Sequence, residues 1–243
     1  MVRVGTVDLP VRVDRERYFH ELSYLELSAL FAGPLAPSAL ARWTAVAPRG
    51  AVGLVAPFVL THRKAPRAPK LWPHDASTGD FRDSPAARAA LAQLASAARE
   101  LGARSVVFRS PETFSPSAAN REQLHRFFGE VATTEALPGV ERVWVPGGLW
   151  EVRSAAKLAT ELGVTCAIDP LARAPGEPPE IFYDLDVPAL YVRVERAGGL
   201  RSERLDDLLA LIEQYEDRPL AIALATQERW QDARKLKKLL DER

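Results

Sequence analysis

Arginine side chains stand where two apolar segments of this sequence end. Arg109 follows the apolar run 106–108, and Arg193 lies in a second short apolar run, 190–194. Guanidinium groups bind phosphate and carboxylate oxygens through forks of N–H donors. If both arginines stand at neighbouring strand ends, they face a common anion, and the sequence predicts an anion site there. The alternative is that they form structural salt bridges with nearby carboxylates, namely Glu195, Asp169 or Glu112.

A histidine and two carboxylates are candidates for acid–base chemistry. His62 and Asp169 each follow an apolar segment, and Glu195 follows Arg193 at the end of a third. Because barrel enzymes take acid and base groups from different strand ends, Asp169 and His62 could act as a pair, with Glu195 as a further catalytic candidate. A nucleophilic triad is not predicted, since Ser110 lacks a nucleophile-elbow context.

Oxygen and imidazole ligands for a divalent metal are also present at predicted strand ends: Asp8, His62, Asp169 and Glu195. No His-x-x-x-His or Cys-x-x-Cys pair supports such a site, and Arg109, Arg193 and Arg196 nearby would repel a cation. We therefore predict no metal and no cofactor. The predicted ligand-binding residues are Arg109, Arg193, His62, Arg63 and Asp8.

Residues 62–83 contain several prolines and little periodicity, which predicts a long loop on the side where the strands end, and the proline-rich residues 170–187 predict a second long loop. Its first part is basic, with Trp72 and His74 beyond the cations His62, Arg63, Lys64, Arg67 and Lys70. This segment could form a cationic flap that holds a phosphate or a nucleic-acid backbone, with Trp72 stacked on a base. The alternative is a solvated loop without a ligand.

Eight short apolar segments are predicted as strands, and a helical or helix-like segment follows each. The segments are 2–7, 22–31, 51–58, 106–108, 140–145, 164–168, 190–194 and 220–224. One helix is predicted from Ser84-Pro85 to Gly102, and the next is predicted to begin at Ser115-Pro116. This alternation predicts an α/β fold, and the count favours a closed TIM-type (β/α)8 barrel over an open doubly wound sheet. No dinucleotide-binding or P-loop glycine motif follows a strand, which weakens the nucleotide-binding form of the open sheet. Function is then expected at the carboxyl ends of the strands.

Composition limits the classes of partner. The 243 residues are 47% hydrophobic and include 32 basic and 32 acidic residues, typical of one globular domain spanning 1–243. The balanced charge argues against a strong sequence-independent grip on nucleic acid, although a local basic patch remains open. No signal-type or membrane-spanning apolar stretch is present, so we expect a cytoplasmic protein without a membrane partner. The lone Cys166 lies in an apolar strand pattern and is predicted to be buried and slow to react.

Short segments occur in a characteristic order over nearly the whole chain: Val4-Gly5-Thr6, Glu26 to Phe31, Pro34, Trp43, Pro48, Thr61-His62, Phe108 to Phe114, Trp150, Asp169 and Tyr191-Val192-Arg193. This order resembles the YecE-like family, number seventy-two in the domain-of-unknown-function series. The resemblance implies an irregular TIM-type barrel. It implies little chemistry, because the family has no settled biochemical activity.

The sequence departs from the family's pattern at most of its polar positions. Ala56 stands where the family has the Lys that ends strand three, and Glu195 stands where it has the His of strand seven. The Glu-x-Arg-His of strand five is replaced by Trp144, Pro146 and Gly147. Three polar positions remain, namely His62, Asp169 and Arg193. The resemblance thus implies a divergent member with a reduced polar rim.

Three classes of function stay open. The favoured hypothesis is a barrel that binds an anion or another small ligand at a degenerate site. The second is a hydrolase acting on a phosphodiester or other phosphorylated substrate, including nucleic acid, by fold-level analogy with metal-using DNA-repair barrels. The third is a protein-interaction module that uses an outer helix face such as that around Trp230. The ligand's identity and the oligomeric state stay open.

Overall fold

Eight parallel strands form a closed barrel in the computed structural model, which describes residues 2–69, 71–173 and 179–243. The strands are β1 Val2–Val7, β2 Tyr24–Leu27, β3 Val52–Val55, β4 Ser105–Arg109, β5 Glu141–Val145, β6 Thr165–Ile168, β7 Leu190–Arg196 and β8 Leu220–Thr226. Each strand pairs with the next along the chain, and β8 pairs with β1, where Gly5 lies opposite Ala223. The predicted α/β fold and TIM-type barrel are confirmed.

Helices connect the strands on the outside of the barrel. They are α1 Arg15–Glu21, α2 Ala29–Ala32, α3 Pro37–Thr44, α4 Phe58–Thr61, α5 Pro85–Leu101, α6 Ala118–Arg126, α7 Val152–Glu161, α8 Ser202–Gln214 and α9 Arg229–Asp241. A π-helical turn, Phe127–Val131, continues α6, and a 3-10 turn covers Pro179–Phe182. No helix in the described part of the chain is long and apolar enough to cross a membrane.

The ends of α5 show how the sequence sets these boundaries. The Ser84 hydroxyl accepts a hydrogen bond from the Ala87 amide, and Pro85 occupies the first helical position. Gly102 ends the helix with φ 57°, a left-handed conformation that glycine adopts without strain. The apolar stripe between them, which includes Leu91 and Leu94, is buried. This predicted helix is therefore confirmed at both ends.

Strand alternation separates two apolar clusters. The inner cluster fills the barrel and consists of Val7, Tyr24, Val107, Val143, Ala167, Tyr191 and Ala223. Residues that alternate with these along the strands, such as Leu25, Val106 and Val192, pack outward against the helices. Cys166 belongs to this outer cluster and is 2% exposed. Its burial raises the pKa of the thiol to about 12. Its burial is confirmed, and its slow reactivity stays a prediction.

Tyr24 occupies the centre of the barrel because β3 presents a glycine beside it. A Cβ atom at Gly53 would lie 1.9 Å from the Tyr24 hydroxyl oxygen and 2.7 Å from Ser105 Oγ. The Tyr24 hydroxyl lies 2.8 Å from Ser105 Oγ and 3.0 Å from the Tyr191 hydroxyl. Hydrogen-bonded phenols thus fill the barrel below its mouth.

Several predicted boundaries were wrong. The strand expected over 51–58 ends at Val55, because Pro57 leads into the short helix α4. The helix expected to begin at Ser115-Pro116 begins at Ala118, capped by the Ser117 hydroxyl, which accepts from the Asn120 amide. In addition, β7 extends to Arg196, so Glu195 is a strand residue.

Two long connections follow the carboxyl ends of β3 and β6. The one at 62–83 has no helix or strand among its described residues, in agreement with the predicted loop. Lys70, part of the predicted basic flap, lies outside the described residues. The second connection, predicted as a loop over 170–187, contains the 3-10 turn, and its residues 174–178 also lie outside them.

Candidate anion site at the barrel mouth

Arg193 is buried on β7 with its guanidinium inside the barrel mouth. Its side chain is 5% exposed, and its Nε donates to Glu26 Oε1 at 3.0 Å. Glu26, on β2, is fully buried and accepts a second hydrogen bond, at 2.6 Å on Oε2, from the Tyr191 hydroxyl. A buried carboxylate held by two donors therefore fixes the orientation of the Arg193 fork.

Glu195 shares one carboxylate oxygen between two arginines. Its Oε2 accepts from Arg193 Nη1 at 2.5 Å and from Arg109 Nη2 at 3.4 Å. The Glu195 side chain is 59% exposed and that of Arg109 is 34% exposed, so this contact lies at the solvent boundary of the mouth. Of the salt bridges that the sequence suggested for Arg109 and Arg193, those with Glu195 are thus present.

The expected placement of Arg109 and Arg193 on neighbouring strand ends was wrong. In the barrel β5 and β6 separate β4 from β7. The two guanidiniums nevertheless reach the same Glu195 oxygen, because the Arg109 side chain on β4 and the Arg193 side chain on β7 both extend to it. Side-chain direction, which sequence spacing does not give, brings them together.

Charge interactions across the mouth shift three pKa values. Burial acts to lower the pKa of Arg193, but Glu26 and Glu195 outweigh it and raise that pKa. Burial acts to raise the pKa of Glu195, but its contacts with Arg193 and the charge of Arg109 lower it. For Arg109, burial and the charge of Arg193 lower the pKa despite the opposing carboxylates. Arg109 therefore stands beside a second cation, a setting in which a further anion is favoured.

His62 lies between the mouth and the loop after β3. Its Nδ1 is 2.7 Å from Thr61 Oγ1, and its ring packs edge-on against Phe31 with 5.0 Å between ring centres. Burial, followed by the charge of Arg109, lowers the pKa of His62 to about 4, although Asp80 opposes the shift. The imidazole is therefore neutral at pH 7 and lies within electrostatic reach of the mouth.

Asp8 and Asp169 have backbone partners. The Asp8 carboxylate accepts from the Ser28 amide at 2.7 Å and from the Ser28 hydroxyl, and it ties the end of β1 to the end of β2. The Asp169 carboxylate accepts from the Leu171 amide at 3.0 Å and from the Glu195 amide at 3.4 Å. Burial raises the pKa of Asp169 despite these bonds. In the described parts of the chain, no three His, Cys, Asp or Glu side chains are grouped to hold a metal ion.

The basic part of the loop after β3 borders a cleft of about 430 Å³ beside the mouth. Arg63, 69% exposed, lines this cleft and its Nε donates to Asp80. Lys64 and Asn120 lie on the same lining. Trp72 does not, since it is 1% exposed and its indole N–H donates to the Leu30 carbonyl at 2.7 Å. The hypothesis that Trp72 stacks on a base was therefore wrong.

Sequence reasoning missed the buried polar residues beneath the mouth. Glu26, Tyr24 and Tyr191 carry the hydrogen bonds that orient Arg193, yet none of them was predicted as a site residue. The available signal was a carboxylate inside the apolar segment 24–27. Such a residue needs a buried partner, because an unpaired charge in a barrel core is costly.

The protein is a closed parallel (β/α)8 barrel, and it has an ion-pair network at the carboxyl ends of its strands. No family model and no curated protein matches this sequence. Among solved structures, the barrel is similar to a DUF72 family protein from Enterococcus faecalis, with a TM-score of 0.72, 11% identity, and coverage of 100% of this chain and 94% of the other.

Two further structures have the same architecture. A DUF72 family protein from Thermotoga maritima has a TM-score of 0.64 and 15% identity, with 99% of each chain covered. Endonuclease IV from Thermus thermophilus has a TM-score of 0.58 and 14% identity, and the match covers 99% of this chain and 100% of the endonuclease chain. These likenesses show a shared fold. The resemblance to the YecE-like family (DUF72) that was inferred from the sequence is therefore confirmed as a likeness of fold.

Proposed function

We propose that this protein binds a small anionic ligand, carrying a phosphate or carboxylate group, at Arg109 and Arg193. The observation that carries the proposal is the shared Glu195 oxygen, 2.5 Å from one guanidinium and 3.4 Å from the other. Glu195 thereby places an oxyanion in the position that a ligand's oxyanion would take. Because Glu195 is 59% exposed, its carboxylate can turn to solvent when a ligand replaces it.

The two arginines have different roles in this proposal. Arg193 is held by Glu26, which fixes its fork before a ligand arrives, so little conformational entropy is lost on binding. Arg109 has one ion pair at 3.4 Å and greater exposure, so it adjusts to the ligand. Neutral His62, close to Arg109, can share a hydrogen bond with an uncharged part of the ligand.

A hydrolase acting on a phosphorylated substrate is the second candidate. It is favoured by the raised pKa of Asp169 and the neutral His62 beside Arg109, because a proton donor or acceptor near a bound phosphate supports phosphoryl chemistry. The fold likeness to endonuclease IV is an analogy of architecture alone. Turnover distinguishes this candidate, since the binding proposal expects none.

The test is calorimetric titration of inorganic phosphate into the native protein and into Arg109→Gln and Arg193→Lys. Each change removes a charge-assisted fork, and we expect phosphate to bind about tenfold or more weakly. Arg218→Gln is a matched control, since Arg218 is also 34% exposed but lies away from the mouth. Phosphate affinity that is indifferent to both mouth changes would refute the proposal.

A parallel assay tests the hydrolase. The native protein is incubated with a chromogenic phosphate monoester and a phosphodiester, with and without Mn²⁺. Release of product that is lost in Asp169→Asn or His62→Gln would establish the second candidate in place of simple binding. No release in either condition, together with phosphate binding, supports the first.

A further inference from the structure

The rim of the barrel carries a second group of cations beside the mouth. Arg63 and Lys64 line the cleft of about 430 Å³ that opens between the loop after β3 and the loop after β4. This volume lies within the range of about 300–1,000 Å³ common for small-ligand sites. Arg63 is partnered by Asp80. Within the described part of the chain, the Lys64 side chain has neither an ion pair nor a hydrogen bond.

The mouth and the cleft are continuous along one segment of the chain. Arg109 ends β4 at the mouth, and Pro111 and Thr113, two and four residues later, line the cleft. His62 also lines the cleft, and the charge of Arg109 at the mouth contributes to the lowered pKa of its imidazole. The segment 109–113 and His62 therefore connect the two cation groups.

We propose that the ligand carries two separated anionic groups, one bound by Arg109 and Arg193 in the mouth and the other by Lys64 and Arg63 in the cleft. This inference rests on the proposed function and narrows its ligand class to compounds such as bisphosphates. The uncharged linker of the ligand passes His62, whose Nδ1 is engaged by Thr61 and whose Nε2 is left for a hydroxyl group.

Charge and hydrogen bonding support this division. Arg63 has its charge balanced by Asp80, so Lys64 supplies the unbalanced positive charge of the cleft. Asn120 lines the same wall, and its side-chain nitrogen donates to the Ser115 carbonyl at 2.8 Å, which holds its carboxamide in place. The cleft thus offers the Lys64 cation, the Arg63 guanidinium paired with Asp80, and a fixed carboxamide, and cations of this kind bind a terminal phosphate.

The experiment compares ligands with one and two anionic groups by calorimetry at constant ionic strength. The probes are inorganic phosphate, glycerol 3-phosphate and fructose 1,6-bisphosphate. We expect the bisphosphate to bind about tenfold more tightly than glycerol 3-phosphate, the effect of one added charge-assisted contact at a partly exposed site. Lys64→Met should abolish that difference and leave the affinity for inorganic phosphate unchanged. Lys235→Met, an exposed lysine on α9 with the same loss of charge, should change neither.

The outcomes separate this inference from the proposed function. Equal affinity for the mono- and bisphosphate, or an equal effect of Lys64→Met on all three probes, would overturn the second subsite and leave the mouth site standing. Inorganic phosphate that binds independently of Arg109→Gln would overturn the mouth site itself. A short oligonucleotide that binds more tightly than the bisphosphate, and loses that affinity in Lys64→Met, would also overturn the small-ligand assignment.

Discussion

Replacing Glu195 by glutamine should strengthen anion binding at the mouth. In the proposed exchange, the Glu195 carboxylate competes with the ligand for Arg109 and Arg193. Glutamine has nearly the same size and shape as glutamate and still forms hydrogen bonds, but it has no negative charge. A ligand then meets Arg109 without its ion pair to Glu195, and Arg193 paired with Glu26.

The magnitude follows from the geometry. Glu195 makes one ion pair at 2.5 Å and one at 3.4 Å, but 59% of its side chain is exposed, so solvent screens both. Exposed ion pairs contribute about 0.2–1 kcal/mol each, which gives a gain of about 1 kcal/mol for the ligand, or about fivefold in Kd. The gain should shrink as salt is added, because the competing charge is at the surface.

Sulfate is the suitable probe for this assay, since its charge is constant over the working pH range. Titration of sulfate into the native protein and Glu195→Gln at low ionic strength, with thermal melting as a check of folding, measures the effect. Unchanged or weaker sulfate binding by a folded Glu195→Gln protein would refute the competition argument. It would indicate that the Glu195 carboxylate supports the site instead.

Three further predictions concern the residues around and below the mouth. Gly53→Ala should destabilise the fold by about 1–3 kcal/mol in urea unfolding, because the added Cβ displaces the Tyr24 hydroxyl; a change below about 0.5 kcal/mol would contradict this packing. Glu26→Gln should cost about 3–5 kcal/mol, since it leaves Arg193 without its buried counter-ion, and native-like stability would count against the ion pair. His62 should titrate near pH 4 by NMR, below its ordinary value of 6.5. The unfolded chain then binds the extra proton, so stability should fall as the pH falls from about 6.5 to about 4, and His62→Gln should remove that dependence.

The barrel could be predicted from sequence because its signals are local. Apolar segments such as 106–108, bounded by polar and helix-starting residues, recur along the whole chain, and Ser84-Pro85 and Gly102 mark both ends of α5. Boundaries failed where two local signals compete. The apolar run 51–58 has the composition of one strand, yet Pro57 divides it into β3 and α4.

The site was only partly predictable, because it depends on register across the barrel. Arg109 and Arg193 were predicted to bind a common anion, which stays a prediction, and their shared contact with Glu195 arises between strands that are not neighbours. The role of Glu26 was missed for the same reason, since its partner Arg193 comes from a distant part of the chain. Glu195, in contrast, was considered from the sequence as a salt-bridge partner of both arginines. Trp72 was misassigned because composition alone does not distinguish an exposed aromatic residue in a loop from a buried one.

A crystal structure of the native protein soaked in phosphate would show whether an anion replaces Glu195 between Arg109 and Arg193. We expect a phosphate ion that accepts hydrogen bonds from both arginines, with the Glu195 carboxylate turned out to solvent and the bond between Arg193 and Glu26 intact. Glu195 still bridging both arginines at saturating phosphate, with the ion bound elsewhere, would contradict it.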